Sequence, residues 1–308
     1  MSEKTHKKSK KALSRFLIIS ALAVAALLIA LIGKKNIFDG LGNTFGIKNN
    51  PTFGSAGIGI VYFDVGQGDS ALIICGGKTM LVDAGENGYE NDLITGIRAL
   101  GINKLDYALC THFHSDHIGG MPEIIDEFSP DTIIMPAVSP EFVPDSYTYG
   151  ALLRSIGEYN AEIINPVTGD TMKLGESAVT FLGPVSGDTE NHNDASLIFK
   201  VTFGKKSFLF TGDAEKDEEM SVINEGADVS ADVLKVGHHG SSNSTCDEFL
   251  EKVSPSYCVI SVGADNDYGH PHAALEKRLL GYTDKIYRTD ICGSIYLECD
   301  GREIKITY

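Results

Sequence analysis

The pattern of apolar and polar residues predicts short strands separated by amphipathic helices over most of the chain. From about residue 58, short apolar runs are bounded by turns that contain glycine, which is typical of strands buried in a sheet. Between these runs lie segments such as NDLITGIRALG, with apolar residues at helical spacing and a terminal glycine as a stop signal. Strands and helices alternate in two successive halves without a second linker. We therefore expect one α/β domain over residues 58–308, with helices covering sheets.

The first 57 residues follow a different pattern. Residues 1–15 form a basic tail, and residues 16–33 form an uncharged apolar run that is long enough to cross a bilayer as a helix. Residues 34–57 are rich in glycine and asparagine and predict a linker. Six lysine and arginine residues precede the apolar run, which favours a cytoplasmic N-terminus and a folded domain outside the cell.

A cleavable signal peptide would have the same order of basic and apolar segments. The apolar run is long for such a peptide, and LIGKKN offers no good small-residue cleavage site. We therefore expect an uncleaved single-pass membrane anchor, and a secreted domain if the segment is cut.

The net charge of the chain is −16 at pH 7, and it is unevenly distributed. Residues 1–35 hold eight lysines and arginines and one acid, whereas 18 bases face 41 acids in the remainder. Affinity for nucleic acid ordinarily comes from basic side chains that replace condensed counterions, so a body this acidic repels polyanions. Only local basic segments such as FGKKS and EKRLL could offset that repulsion.

The segment THFHSDHIGG carries the strongest chemical signal in the chain. His112 and His114 are two residues apart at the end of a predicted strand, so both imidazoles project from one face, and Asp116 and His117 follow in the turn. Imidazole and carboxylate groups are good ligands for Zn²⁺ and similar divalent ions. A solvated polar turn would rarely hold three of the nine histidines of the chain, so the segment predicts a metal site.

Other candidate ligands follow predicted strands elsewhere in the sequence. Asp83, Asp213 and the pair His238 and His239 each come just after an apolar run, and sites in α/β sheets assemble at the ends of neighbouring strands. Alone, an aspartate after a strand is more often a turn or cap residue. Together with the histidine segment, such an aspartate could bridge two metal ions. His270 follows another predicted strand and could face the same cleft.

The turn DVGQGDS lies between two predicted strands and could offer backbone N–H groups to a phosphate. A glycine-rich turn needs no such function, and its Asp64 and Asp69 could equally brace the loop or contact a metal. The six cysteines show no CxxC spacing, and those in apolar runs are explained as buried thiols, so they do not decide function.

The order of these segments resembles the metallo-β-lactamase superfamily. THFHSDH matches its HxHxDH motif, with VDAG before it and LFTGD after it. The segments YFDVGQGDSALI, LKVGHHGSSNST and SVGADNDYGHPH are also similar to the extracellular metallo-β-lactamase-like domain of ComEC-type competence proteins, over about residues 58–308. A channel-forming membrane domain needs many hydrophobic segments and this chain has one, so it looks like a stand-alone, ComEC-like metallohydrolase.

The resemblance implies an αββα sandwich that binds two divalent ions, Zn²⁺ or alternatively Mn²⁺. Under it, His112 and His114 would hold the first ion, Asp116 and His117 would hold the second, and Asp213 would bridge the two. Such a pair of ions would activate a water held between them for attack on phosphorus.

The resemblance also assigns residues around the ligands. One of His238 and His239 would complete the second site, with His239 taken as the ligand here, and the other could donate a proton to the leaving group or hold a phosphate oxygen. Asp83 would orient a ligand histidine, and Asp64 and His270 are expected beside it.

The chain departs from the superfamily at its third histidine motif, where the loop reads ENHNDASLIF. Asp194 is the first choice for this ligand position, and His192 or Asn193 are alternatives. The first ion could be weakly bound or absent as a result.

Three functions are open at this stage. The resemblance implies hydrolysis of nucleic acid or another phosphodiester, whereas the acidic composition favours a smaller target, such as a wall-polymer phosphodiester or a phosphocholine ester. A non-catalytic binding module on the same fold is the third, and the retention of nearly all ligands argues against it. The sequence identifies no protein partner.

Overall fold

Two β-sheets packed face to face form the centre of the protein. The structure, a computed structural model, describes residues 57–308. The strands in this part are β1 (Ile58–Tyr62), β2 (Ala71–Cys75), β3 (Lys78–Val82), β4 (Tyr107–Leu109), β5 (Thr132–Ile134), β6 (Glu162–Ile164), β7 (Thr171–Leu174), β8 (Ser177–Gly183), β9 (Ile198–Phe203), β10 (Lys206–Phe210), β11 (Val233–Lys235), β12 (Tyr257–Ile260), β13 (Ile286–Arg288), β14 (Ile295–Cys299) and β15 (Ile304–Thr307).

The two sheets have eight and seven strands. Their orders are β15-β14-β1-β2-β3-β4-β5-β6 and β13-β12-β11-β10-β9-β8-β7. Strands β3 to β6 run parallel to one another, as do β10 to β13, and the remaining neighbours are antiparallel. Because parallel neighbours end at the same edge of a sheet, each sheet can present several loops together at one edge.

The inner faces of the sheets share one apolar core. It contains side chains from both sheets, and Tyr62 of the first stacks on Phe210 of the second with ring centroids 5.9 Å apart. Leu72 and Leu81 point to the opposite face of the first sheet and are fully buried as well. Both faces of the central strands are therefore covered, which explains why these strands are continuous apolar runs in the sequence.

Helices cover the outer faces of the sheets. They are α1 (Glu90–Ala99), α2 (Ser115–Ile118), α3 (Met121–Phe128), α4 (Tyr147–Tyr159), α5 (Lys216–Asn224), α6 (Asp247–Val253), α7 (Ala273–Leu279) and α8 (Thr289–Cys292). Phe249 of α6 and Leu275 of α7 join one apolar cluster with Leu234 of the second sheet. Leu93 of α1 and Ile125 of α3 are buried in the first half of the chain. The predicted α/β fold with two sheets is confirmed.

Strand β7 and helix α8 were not predicted from the sequence. The four residues TMKL of β7 lie at the edge of the second sheet, and only Leu174 is fully buried. A short edge strand of this kind has no apolar run to mark it. All six cysteines are free thiols, and five of them are buried.

The predicted basic tail, membrane anchor and nearly all of the predicted linker lie in residues 1–56, outside the described residues. The anchor therefore stays a prediction. Within residues 57–308, none of the helices combines the length and the apolar character that a membrane span requires.

Candidate metal centre

Four buried side chains meet where strands of both sheets end. Asp69, His117, Asp213 and His239 offer ligand atoms that all lie within 4.8 Å of one another. They come from the β1–β2 turn, from α2, and from the segments after β10 and β11. None is more than 5% exposed. Carboxylate oxygens and imidazole nitrogens gathered in this way are the donors that divalent metal ions use in proteins.

His117 is held from behind so that one ring nitrogen faces this cluster. Its Nδ1 lies 2.8 Å from Asp83 Oδ2, which as a carboxylate oxygen accepts the Nδ1 hydrogen. The opposite nitrogen, Nε2, lies 3.2 Å from Asp213 Oδ1. Neither of these two buried atoms makes an aligned hydrogen bond. Buried polar atoms rarely stay unpaired, so lone pairs converging on one space fit a bound cation.

Asp83 supports two histidines from outside the cluster, His117 directly and His112 through Thr111. Its carboxylate accepts hydrogen bonds from the Thr111 N–H and the Thr111 hydroxyl, each at 2.7 Å. Because that hydroxyl gives its hydrogen to Asp83, its oxygen accepts from His112 Nδ1 at 3.2 Å. Nε2 of His112 is then left to face the site. Asp83 has a φ of 57°, a left-handed conformation that is uncommon outside glycine.

The structure separates the roles of His238 and His239. His239 is buried, and its Nε2 lies 3.1 Å from Asp116 Oδ2 and 3.5 Å from Asp213 Oδ2. The side chain of His238 is 22% exposed, and its Nδ1 lies 3.2 Å from Glu215 Oε1. Both histidines have a φ of 50°, a left-handed conformation that is uncommon outside glycine. His239 thus lies among the ligand candidates, and His238 lies at the rim.

Asp69 faces the other edge of the His239 ring. Its Oδ1 lies 3.3 Å from His239 Nδ1, and its Oδ2 lies 2.7 Å from Lys235 Nζ. By distance alone Asp69 belongs to the cluster, but its oxygens are turned toward Lys235 and toward the ring edge opposite Nε2. Asp116 is the better fourth ligand, since its oxygen lies beside Nε2.

The DVGQGDS turn positions Asp116 by close backbone contact. A Cβ atom on Gly68 would lie 2.4 Å from the Asp116 carbonyl oxygen. The Asp69 N–H donates to that same oxygen at 3.0 Å. This N–H is therefore already used, and the turn braces the site. Asp64 lies apart from the cluster: it is exposed, and its Oδ1 accepts the Gly66 N–H at 3.2 Å.

The candidates for the first ion lie on the more open side of the centre. His112 Nε2 and His114 Nδ1 are 3.0 Å apart, so both nitrogens could face one ion. The His192 ring is parallel to the His114 ring, with 5.8 Å between their centroids. Within the described residues these three rings are the histidines on that side.

The structure does not bring Asp194 to the ligands, although it was the first choice at the third motif. Its Oδ1 accepts the Glu215 N–H at 2.8 Å, and its Oδ2 accepts from Asn191 Nδ2 at 3.0 Å. Asn193 donates from Nδ2 to Glu215 Oε1 at 3.2 Å. Both side chains organise the loop, so His192 is the residue of this motif nearest to the first-ion histidines.

His270 lies at the rim beside the two histidines that follow β11. Its ring centroid is 5.5 Å from that of His238 and 6.5 Å from that of His239. Burial, together with the charges of these neighbours, lowers the pKa of His270 to about 4. It is therefore neutral at physiological pH and can accept or donate a hydrogen bond at the cleft.

Opposite charges dominate the electrostatics of the cluster. Burial alone would raise the pKa of Asp213, but His117 and His239 hold that pKa well below its usual range. Burial would likewise lower the pKa of His239, and Asp213, Asp116 and Asp69 instead raise it to about 10. The carboxylates therefore require positive charge, which a divalent cation would supply in place of protons.

Comparison with known proteins agrees with this architecture. The family model described as the metallo-beta-lactamase superfamily matches residues 63–263. ComE operon protein 3 of Bacillus subtilis is 30% identical over 250 residues, which cover 75% of this chain and 32% of that protein. Competence protein ComA of Neisseria gonorrhoeae is 29% identical over 238 residues, covering 77% of this chain and 31% of that protein.

A more distant match has an enzyme name. Ribonuclease Z of Mycobacterium avium is 32% identical over 97 residues, which cover 29% of this chain and 34% of that protein. The chain spans about a third of the length of these curated relatives. The HxHxDH segment lies at strand ends within the range that the family model matches, and helices cover two packed sheets. The chain belongs to the metallo-β-lactamase superfamily.

Proposed function

We propose that this chain is a metal-dependent phosphodiesterase. One observation carries the proposal: His117 Nε2 and Asp213 Oδ1 face each other at 3.2 Å in a buried space without an aligned hydrogen bond. Protein interiors do not keep such atoms unpaired without a reason, and the ring nitrogens of His117 and His239 are turned toward the space by partners behind them. Buried groups that can hold a divalent cation at a cleft would support metal-assisted hydrolysis.

The residues divide into two ligand groups that share Asp213. His117, His239 and Asp116 would hold one ion, and His112 and His114, with His192 beside them, would hold a second. The ions, when bound, supply the Lewis acidity that activates water and neutralises charge on phosphate oxygens. Asp213, whose two oxygens face His117 and His239, would join the two groups.

His238 is placed to handle the proton of the leaving group. Its Nδ1 lies 3.2 Å from Glu215 Oε1 without an aligned hydrogen bond, and its Nε2 lies 3.8 Å from Asp213 Oδ2. A histidine paired with a carboxylate and partly open to solvent can donate a proton to a departing oxygen.

The relatives support phosphodiesters as the substrate class. One of the named relatives is a ribonuclease and another is a competence protein, and the match to each spans only part of its length. We propose that this chain hydrolyses phosphodiester bonds of nucleic acid at the metal centre.

A small ester is the second candidate, and the charge distribution favours it. Beside Glu215 lies a cavity of about 390 Å³ whose charged lining residues are Asp194, Glu215, Lys216, Asp217, Asp247, Glu248 and Arg278. Five acids against two bases, in a chain of net charge −16, oppose the approach of a polyanion. A wall-polymer phosphodiester or a phosphocholine ester would meet less repulsion.

We also propose that residues 16–33 anchor the chain in the cell membrane, with the N-terminus cytoplasmic and the catalytic domain extracellular. The uncharged apolar run and the basic residues before it support this orientation. Protease added to intact cells should degrade the domain and spare a short membrane-bound fragment. Recovery of the intact chain in the soluble cell fraction would contradict the anchor.

Activity is tested with the full-length chain purified in detergent, stripped with chelator and reloaded with Zn²⁺ or Mn²⁺. We expect one to two bound equivalents and cleavage of bis(p-nitrophenyl) phosphate. Asp213→Ala should abolish both, whereas Asp300→Ala, an exposed turn aspartate, should abolish neither. The same preparations on plasmid DNA, RNA and phosphocholine esters separate the two candidates. No bound metal and no cleavage after reloading would overturn the enzymatic proposal.

A further inference from the structure

We propose that Lys235 is a positioning residue for the metal centre, and that it acts through Asp69 on the ligand histidine His239. The proposal rests on the metal binding that is part of the proposed function, but not on the identity of the substrate. Three buried side chains contact one another in succession, from Lys235 at the end of β11 through Asp69 to His239 in the ligand cluster.

Lys235 is a buried cation at the end of an otherwise apolar strand. It is 3% exposed, and its Nζ lies 2.7 Å from Asp69 Oδ2 and donates to the Val236 carbonyl at 3.0 Å. Lysine is almost never buried to this extent without a partner, because desolvation of the ammonium group is costly. The pair fixes one oxygen of Asp69, and so fixes the direction of the other.

The second oxygen of Asp69 acts on His239. Asp69 Oδ1 lies 3.3 Å from His239 Nδ1, and the Ser261 carbonyl lies 3.1 Å from the same nitrogen. Both neighbours are oxygen acceptors, so Nδ1 carries a hydrogen, and Nε2 is the nitrogen that can offer a lone pair to a metal ion. The Ser261 carbonyl takes the aligned hydrogen bond, and Asp69 adds negative charge at the same ring edge. A carboxylate behind a ligand imidazole orients the ring and makes its other nitrogen a better donor.

Lys235 also keeps Asp69 out of the ligand shell. An oxygen of Asp69 is close enough to those of His117, Asp213 and His239 to count among the four convergent groups. The contact with Lys235 Nζ draws Asp69 Oδ2 away from them. Lys235 therefore keeps Asp69 beside Nδ1 of the His239 ring, while Asp116 lies beside Nε2.

Two readings of Lys235 predict opposite changes in metal affinity. If the lysine were only a nearby positive charge, its removal would strengthen metal binding, because one repulsive charge is lost. If it positions Asp69, its removal leaves a buried carboxylate without its partner, and His239 loses its orientation. Loss of such support typically weakens metal binding about 10- to 100-fold.

The chain offers a matched control in Lys200, another buried lysine of the same sheet. Lys200 lies in β9, is 9% exposed, and binds Asp228 Oδ2 at 2.8 Å. Asp228 Oδ1 accepts hydrogen bonds from Ser230, and no histidine within residues 57–308 forms a hydrogen bond or an ion pair with Asp228. Lys200→Met therefore removes an ammonium group of similar burial without a connection to the metal centre, although its partner Asp228 is exposed whereas Asp69 is buried.

The experiment measures Zn²⁺ affinity of the full-length chain by competition with a chromophoric chelator. Lys235→Met should weaken binding of the ion held by His239 about 10- to 100-fold. Asp69→Asn should have the same effect, and the double variant should bind little more weakly than either single variant. Lys200→Met should lower the unfolding temperature and leave the affinity unchanged. Unchanged or tighter binding in Lys235→Met, or an equal loss in Lys200→Met, overturns the proposal.

A second readout does not need metal or activity. With ¹⁵N-labelled histidine, the His239 Nδ1–H resonance of the chelator-treated chain should be protected from solvent exchange in the wild type and in Lys200→Met. It should exchange faster in Lys235→Met and Asp69→Asn. If the wild type bound no metal, the proposed function would fail, and this measurement would still decide the positioning role: equal protection in all variants would reject it.

Discussion

The two halves of the metal centre differ in how firmly their histidines are oriented. On one side, His117 and His239 are buried, and each has an oxygen partner on the Nδ1 edge that turns Nε2 to the cluster. On the other side, His112 is equally buried and held by the Thr111 hydroxyl, but His114 is only half-buried and its hydrogen-bonding contact is His112. The third motif offers only His192, at ring-stacking distance from His114. The difference lies in the supporting residues more than in the ligands.

This difference predicts which of the two sites should bind its ion more tightly. A ligand whose ring is already oriented loses little conformational freedom when metal binds, and a partner behind it makes the nitrogen a better donor. We therefore expect the site of His117 and His239 to bind first and more tightly. The site of His112 and His114 should fill at higher metal concentration.

Removing one ligand from each half gives the largest expected contrast. His239→Ala should eliminate the tight ion and lower kcat/KM by about 100- to 1000-fold, the range seen when one main electrostatic contributor is lost. His114→Ala should also inactivate the enzyme but retain one tightly bound equivalent. Elemental analysis and bis(p-nitrophenyl) phosphate hydrolysis provide the two measurements. Equal metal loss in both variants would remove the distinction between the halves.

The support behind His117 should have a smaller effect than the ligand itself. Asp83→Ala removes the carboxylate that holds Thr111 and the His117 Nδ1 hydrogen at 2.7–2.8 Å. We expect about 10- to 100-fold weaker binding of the tight ion, measured by chelator competition. Thr111→Val is the milder comparison, because Asp83 keeps its bond to His117. Wild-type affinity in Asp83→Ala would show that His117 needs no orientation.

The pH dependence of stability should also separate the halves. In the metal-free protein, folding raises the pKa of His239 to about 10, because the raising effect of Asp213 and its acidic neighbours outweighs the lowering effect of burial. A raised histidine pKa stabilises the fold fully below about pH 6.5 and loses that contribution as the pH rises toward 10. The pKa of His114 is lowered, mainly by burial, so it is neutral in this window and contributes nothing.

Thermal unfolding of the chelator-treated chain measures this effect. We expect the midpoint to fall by at least about 3 °C between pH 6.5 and pH 9.5, which corresponds to roughly 1 kcal/mol for a domain of this size. His239→Gln should make the profile shallower without flattening it, because Asp213 and Asp83, against the effect of burial, also raise the pKa of His117. His114→Gln should leave the slope unchanged. A flat wild-type profile would show that the carboxylates do not draw protons onto the histidines of the tight half.

The sequence predicted the ligands of this centre better than their supports. The spacing of His112, His114, Asp116 and His117 indicated candidate ligands, and the positions after apolar runs indicated Asp213 and the pair His238 and His239 without choosing between the two histidines. The role of Lys235 was not predicted, because a lysine at the end of a short strand is ordinarily a solvated surface residue. Its importance depends on Asp69, which lies far away in sequence and reaches it only once the two sheets pack.

Asp194 shows the opposite limit. Its place just before a strand, in the loop of the third motif, made a carboxylate ligand a reasonable expectation. The backbone N–H of Glu215, at the start of α5, takes that carboxylate instead, at 2.8 Å. Whether a loop aspartate faces a metal or caps a nearby backbone depends on which unpaired N–H the fold brings beside it, and no sequence spacing reveals that.

The smallest expected effect belongs to this loop. Asp194→Ala removes two hydrogen bonds of the loop and should cost about 1 kcal/mol of stability, as loss of a cap does, with bound metal unchanged. His192→Ala should cost little stability and selectively weaken the looser ion. Chemical denaturation and metal titration of the two variants give the comparison. Loss of the looser ion in Asp194→Ala but not in His192→Ala would mean that the Asp194 carboxylate turns to the metal when the ion binds. The open half would then gain its third ligand only when Asp194 releases the Glu215 N–H.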